Sequence, residues 1–125
     1  MEPETGVSGR EQRKKWRHAC NGNALLYDLI TQRRMPGMIL DLSISGCLIR
    51  PDQPGFLRAG DVMEVSFALH GVSIRATGCI RNIRPDHAMG IEFRRLTEST
   101  TAQIVRLLNI LIEESESHPQ PETRE

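Results

Sequence analysis

The chain has 125 residues, enough for one hydrophobic core and not for two. Its 16 Lys and Arg balance 16 Asp and Glu, so a formal net charge of zero gives no global argument for nucleic acid. Three cysteines, Cys20, Cys47 and Cys79, are an odd number with no CxxC spacing, which argues against a disulfide framework and a zinc motif; free, mostly buried thiols in a reducing cytoplasm are expected. No apolar run approaches a membrane span and the start lacks a signal-peptide pattern, so a soluble cytoplasmic protein without membrane insertion is expected.

Residues 1–9 are polar and rich in turn formers, and read as a disordered terminus. A basic stretch follows, with Arg10, Arg13, Lys14, Lys15 and Arg17 set against Glu11. By itself such a run is most simply a solvated arm. Its chemistry is more specific, because Arg13 and Arg17 fall on one side of either a helix or an extended segment. Two guanidinium forks then point the same way, matched to phosphate oxygens and to the O6/N7 edge of guanine. Trp16 could stack on a base.

Asn21-Gly22-Asn23 reads as a turn, and Ala24–Ile30 as a first strand, with a short helix as the alternative. Gln32-Arg33-Arg34 with Pro36-Gly37 reads as a turn before a second strand at Met38–Ile44. Cys47–Arg50 is the third strand. Residues 51–60 hold two prolines and two glycines and read as a loop. From Asp61 to Leu69 the chain alternates, with Met63, Val65, Phe67 and Leu69 on one face, as a half-buried strand requires. His70-Gly71 turns the chain into a long strand over Ser73–Arg84. There Ile74, Ala76, Gly78 and Ile80 form the inner row, and Arg75, Thr77, Cys79 and Arg81 the outer row. Ile83 breaks the phase, which predicts a bulge near Asn82. After a turn at Pro85-Asp86-His87, Met89, Ile91 and Phe93 face inward.

A helix is predicted over 98–114, capped by Thr97 or Ser99, with Glu98 favourable near its positive end. Ile104, Leu107, Leu108 and Leu111 follow i, i+3, i+4, i+7, widened by Val105 and Ile112. Such a stripe plugs or flanks the sheet; a partner helix is the sharper alternative. Residues 115–125 read as a disordered acidic tail.

Between the second and third strands lies Asp41-Leu42-Ser43-Ile44-Ser45-Gly46. Asp41 and Ser43 share a face of an extended chain, where a carboxylate and a hydroxyl can accept from guanine N1–H and N2–H₂ or steady an arginine fork. Gly46 supplies freedom in φ or lets a ligand approach the backbone. Alone, these are ordinary turn formers.

Taken with the upstream RxxxR, this DxSxxG stretch resembles the signature of the PilZ domain family, whose members bind the bacterial second messenger cyclic di-GMP. The resemblance covers roughly residues 10–114. It implies an all-β fold with a C-terminal helix, a six-stranded antiparallel β-barrel of the split-barrel kind. The barrel would occupy 24–94 and a basic ligand-binding arm 10–20. It also implies a role for Arg13 and Arg17 on phosphates and guanine Hoogsteen edges, and for Asp41 and Ser43 on a guanine base, with Gly46 in support. Gln12 stands where many members have an arginine. The expected partners are cyclic di-GMP and a downstream protein, with no cofactor and no metal.

The sequence carries no P-loop, HExxH or GxSxG, and its four histidines, His18, His70, His87 and His118, are scattered. A receptor and not an enzyme is therefore expected. Low aromatic content argues against a platform for long nucleic acids. The alternatives are a protein-interaction barrel or a single-stranded nucleic-acid-binding barrel without nucleotide sensing.

Overall fold

Six runs of alternating apolar residues become six strands. They are β1 (His18–Asp28), β2 (Arg34–Leu42), β3 (Gly46–Pro51), β4 (Val62–Leu69), β5 (Val72–Ile83) and β6 (Met89–Arg94), followed by one helix, α1 (Glu98–Ser117). The structure is a computed structural model that describes residues 17–53, 55 and 57–117. The expected disordered start at 1–9, most of the basic arm including Arg13, and the tail from 118 lie outside the described residues.

All neighbouring strands pair antiparallel, and the sheet closes on itself in the order β1-β2-β3-β6-β5-β4. Closure leaves no unpaired edge. Side chains of period two fill the interior: Leu26, Ile39, Ile49, Met63, Val65, Ile80 and Ile91 are each at most 2% exposed. The all-β barrel with a terminal helix is therefore as the sequence predicts.

Three bulges bend the wall. One lies in β5 between Ile80 and Asn82, where the phase break predicts it; the others lie between Ala19 and Gly22 in β1 and between Ile39 and Asp41 in β2. Two expected turns are strand instead. Asn21-Gly22-Asn23 falls inside β1, where a Cβ on Gly22 would stand 2.5 Å from Leu69 Cδ2. Pro36-Gly37 falls inside β2, between β1 and β3. The Pro36 carbonyl accepts a hydrogen bond from Asp52 N at 2.9 Å, and a Cβ on Gly37 would stand 2.7 Å from the Arg50 carbonyl oxygen. These residues serve close strand approach, a tertiary demand that overrides their local turn preference. Cys79, expected in the outer row of β5, is buried, although it lies outside the main core cluster.

Thr97 caps α1, its Oγ1 accepting from Thr100 N at 3.0 Å. The helix packs on β5 and β1 and delivers Ile104, Leu107 and Leu111 to the core, while Leu108 is half-buried and Val105 exposed. It runs to Ser117, past the expected end at 114. His70 in the β4–β5 turn meets Glu114 at 3.2 Å, which ties α1 to one end of the barrel. That end also holds the start of β1 and the β2–β3 turn. The opposite end holds the β1–β2 hairpin, the β3–β4 loop and the β5–β6 turn. There Asp86 accepts from Arg50 at 3.0 Å and from Arg84 at 3.4 Å.

Candidate functional site

The β2–β3 turn is built by one hydroxyl. Ser43 is 1% exposed, and its Oγ accepts from Ser45 N and Gly46 N, both at 3.2 Å. That oxygen also lies 3.3 Å from the Gly46 carbonyl oxygen and 3.2 Å from Ser45 Oγ. The Ser43 N–H donates to the same Gly46 carbonyl at 2.8 Å, closing the turn. A serine here does in four residues what an Asx or ST motif does generally: it supplies a side-chain acceptor for backbone donors that the turn leaves over. The sequence expectation put Asp41 and Ser43 on one open face. In the structure the Ser43 hydroxyl turns inward and Asp41 outward.

Gly46 answers to a different constraint. A Cβ at this position would fall on the Ile91 carbonyl oxygen, and Gly46 is not among the glycines with positive φ. The glycine therefore admits the β6 backbone, which continues past the ladder with Phe93 N donating to Ser45 O at 2.9 Å. Close approach by a neighbouring strand, and not turn conformation, is why no side chain fits.

Asp41 sits directly after the β2 bulge, and its Cα partners are Ala19 on β1 and Leu48 on β3. A bulge re-aims the side chain that follows it. The Asp41 carboxylate, 19% exposed, accepts from Arg17 Nη1 at 3.0 Å, and the Arg17 side chain is 44% exposed. Arg17 immediately precedes β1, so the pairing of Ala19 with Asp41 brings the second RxxxR arginine to the first DxSxxG residue. Residues 24 apart in sequence become one cation–anion pair at the barrel surface. Arg17 keeps further donors in its fork for a phosphate or a base edge.

Beneath this pair the chemistry is neutral. Burial, then the negative charge of Asp41, push the Cys20 thiol up to about 11. Burial pushes Cys47 up further; Asp41 acts in the same direction and Arg17 opposes it. Both thiols stay protonated at neutral pH, so neither offers a nucleophile or a metal ligand. Among the described residues no group of three or more His, Cys, Asp or Glu is placed to hold a metal ion.

Other outward arginines separate by place. Arg84 belongs to the Asp86 cluster at the opposite end of the barrel. Arg81 pairs with Glu92 at 3.4 Å, and Glu92 is the Cα partner of Gly46. Arg94 ends β6 next to Phe93, which bonds the turn. The sequence reading gave Ser45 no role within the motif and missed Glu92 as its neighbour. The strand alternation carried the only signal for Glu92, by putting it on the outer face.

A family model described as PilZ domain matches residues 11–109. No curated protein matches the chain. Among solved structures, the chain is similar to the PilZ domain with c-di-GMP of YcgR from Escherichia coli. The TM-score is 0.69 at 13% identity, covering 84% of this chain and 95% of that one. It is also similar to the PilZ domain of CeSA from a cellulose-synthesizing bacterium, with TM-score 0.64 at 14% identity, covering 77% and 97%. A third likeness is to the PlzA protein of Borreliella burgdorferi in complex with c-di-GMP. There the TM-score is 0.58 at 18% identity, covering 83% of this chain and 44% of that one. At such identities these likenesses speak to the fold.

Proposed function

The chain belongs to the PilZ domain family, and from that premise we propose that it is a non-enzymatic receptor for cyclic di-GMP that signals to a protein partner. The observation that carries this reading is the Arg17–Asp41 contact at 3.0 Å, which joins the two motifs on one surface. Solved PilZ structures similar in fold to this chain hold c-di-GMP, which supports the choice of ligand.

In this reading Arg13 and Arg17 take the phosphates and the guanine Hoogsteen edge of the ligand through bidentate, charge-assisted hydrogen bonds. Asp41 accepts from the guanine N1–H and N2–H₂ donors. Ser43 and Gly46 serve that contact by fixing the turn beside Asp41, Ser43 through its hydroxyl and Gly46 by admitting β6. Without ligand, Arg17 and Asp41 satisfy each other. With ligand, the guanine edge shares or replaces that pair, and the arm closes over the barrel wall. The partner then reads the new surface, and the switch is limited to the ligand's preference for the closed state.

Calorimetric titration with cyclic di-GMP tests the proposal. Arg13→Ala and Arg17→Ala should each weaken binding by about tenfold or more, the order expected for a lost hydrogen bond to a charged group. Asp41→Ala should weaken it while leaving the barrel folded. Affinity for single-stranded oligonucleotides that falls steeply with salt, with no preference for the cyclic dinucleotide, would refute it.

A further inference from the structure

The end of the barrel remote from Asp41 carries two features that the receptor reading does not use. The first is the tip of the β1–β2 hairpin. Leu29 is 46% exposed and Ile30 83% exposed, the most open large apolar side chains among the described residues. The turn holds them out in a fixed conformation. Asp28 Oδ1 accepts from Ile30 N at 2.8 Å and from Thr31 N at 3.1 Å. Gln32 N donates to the Asp28 carbonyl at 2.8 Å, and Asp28 N to the Arg33 carbonyl at 2.9 Å. Gln32 takes a left-handed φ of 64° to complete the turn. An Asx-type cap and a left-handed residue therefore hold two aliphatic side chains outward, Leu29 half-exposed and Ile30 almost wholly in solvent.

The second feature lies directly behind that apex. A cavity of about 560 Å³ opens between the hairpin and the β3–β4 loop. Its floor includes Leu26, Met35 and Met63, and Asp28, Thr31, Arg33 and Arg34 line its mouth. Arg34 is held beside the wall by its guanidinium, 5.8 Å from the centre of the Tyr27 ring. Asp28 caps its own turn, lines the same cavity and interacts with Arg33, while Asp61 accepts from Arg58 N at 2.9 Å and Asp86 from Arg50 and Arg84.

We propose that this end of the barrel docks peripherally on an anionic phospholipid bilayer, with Leu29 and Ile30 below the headgroups and Arg33 and Arg34 at the phosphate level. The order of chemistry along the hairpin follows the order of chemistry across a bilayer interface. Aliphatic groups lead and guanidinium groups follow. A convex apex with its side chains fixed outward suits a soft planar surface better than the pocket of a protein partner. The contact is peripheral, since no helix among the described residues is long and apolar enough to cross a membrane. The Arg17–Asp41 pair and α1 lie at the other end, so docking leaves them in the aqueous phase. The proposal stands independently of the ligand assigned to that pair.

Co-sedimentation of the full chain with vesicles tests it. The probes are phosphatidylcholine alone and phosphatidylcholine with phosphatidylglycerol. The protein should partition onto the mixed vesicles and not onto the neutral ones, with salt weakening the binding. Leu29→Ser with Ile30→Ser should lower the partition coefficient by about tenfold or more, from the apolar area no longer buried. Arg33→Ala and Arg34→Ala should each lower it about fivefold. These side chains are exposed or at the rim, so thermal unfolding should confirm that each variant stays folded. Three results would overturn the proposal. One is no partition onto mixed vesicles. Another is equal partition onto neutral vesicles. The third is partition indifferent to the tip variants and lost on Lys14→Ala with Lys15→Ala, which would assign the binding to the basic arm.

Discussion

Ser43→Ala separates the turn-building role of this hydroxyl from direct contact with a ligand. The substitution deletes one oxygen that serves two backbone donors, Ser45 N and Gly46 N. Ser45 is exposed, so water takes over its N–H at little cost. Gly46 is buried, so its N–H loses its partner. A buried donor left without a partner costs about 1–3 kcal/mol, which puts the expected loss of stability near 2 kcal/mol. With a urea slope of about 1.5 kcal/mol per molar, the midpoint should fall by about 1 M at unchanged slope. Urea unfolding followed by far-UV circular dichroism reads this directly. A midpoint shift below about 0.3 M, together with loss of cyclic di-GMP binding, would refute the reasoning. It would mean that the hydroxyl meets the ligand and that the turn stands without it.

Three more outcomes follow from the same geometry. Gly46→Ala drives a methyl group onto the Ile91 carbonyl and should cost about 3 kcal/mol or more, read as a lowered Tm with the β3–β6 amides losing exchange protection. The backbone donor of Thr31 above all holds the Asp28 carboxyl below its ordinary range; burial opposes it, and the Ile30 donor, the Thr31 hydroxyl and the Arg33 charge add to the lowering. Its stabilisation is therefore complete above the ordinary carboxylate range and lost as pH falls through the lowered folded value, so Asp28→Asn should flatten the acid limb of Tm against pH. Cys20, with its thiol pushed up to about 11, is roughly one part in a thousand thiolate at pH 8 and should alkylate slowly with iodoacetamide; fully buried Cys47 should label only after unfolding, and rapid labelling of either in the native protein would contradict their placement.

The strands were legible in the sequence because a half-buried strand repeats every two residues, and the family resemblance selected a barrel for them. Met63, Val65 and Phe67 in β4 and Met89, Ile91 and Phe93 in β6 face inward as the alternation predicts, and the phase break at Ile83 marked the β5 bulge. The boundaries were less legible where Gly and Pro serve neighbouring strands. Gly22, Pro36 and Gly37 look like turn residues locally, but each lies inside a strand whose neighbours come too close for a larger residue or bond its carbonyl. At the site, the sequence joined the basic stretch to the DxSxxG stretch only through its family resemblance, and Arg17 does meet Asp41. It could not predict that Ser43 turns inward, because a period-two face ends where a strand gives way to a turn. Nor could it place Gly46 against Ile91, a contact between residues 45 apart in sequence that only barrel closure creates.

The central claim is that the Arg17–Asp41 surface receives cyclic di-GMP. Backbone amide spectra recorded while the full chain is titrated with the messenger test it most directly. The account predicts saturable shifts that start at Arg17, Ala19, Asp41, Ser45 and Gly46, with the β1–β2 hairpin tip unmoved. No shifts at millimolar ligand, or shifts confined to residues 28–34 at the far end of the barrel, would contradict it.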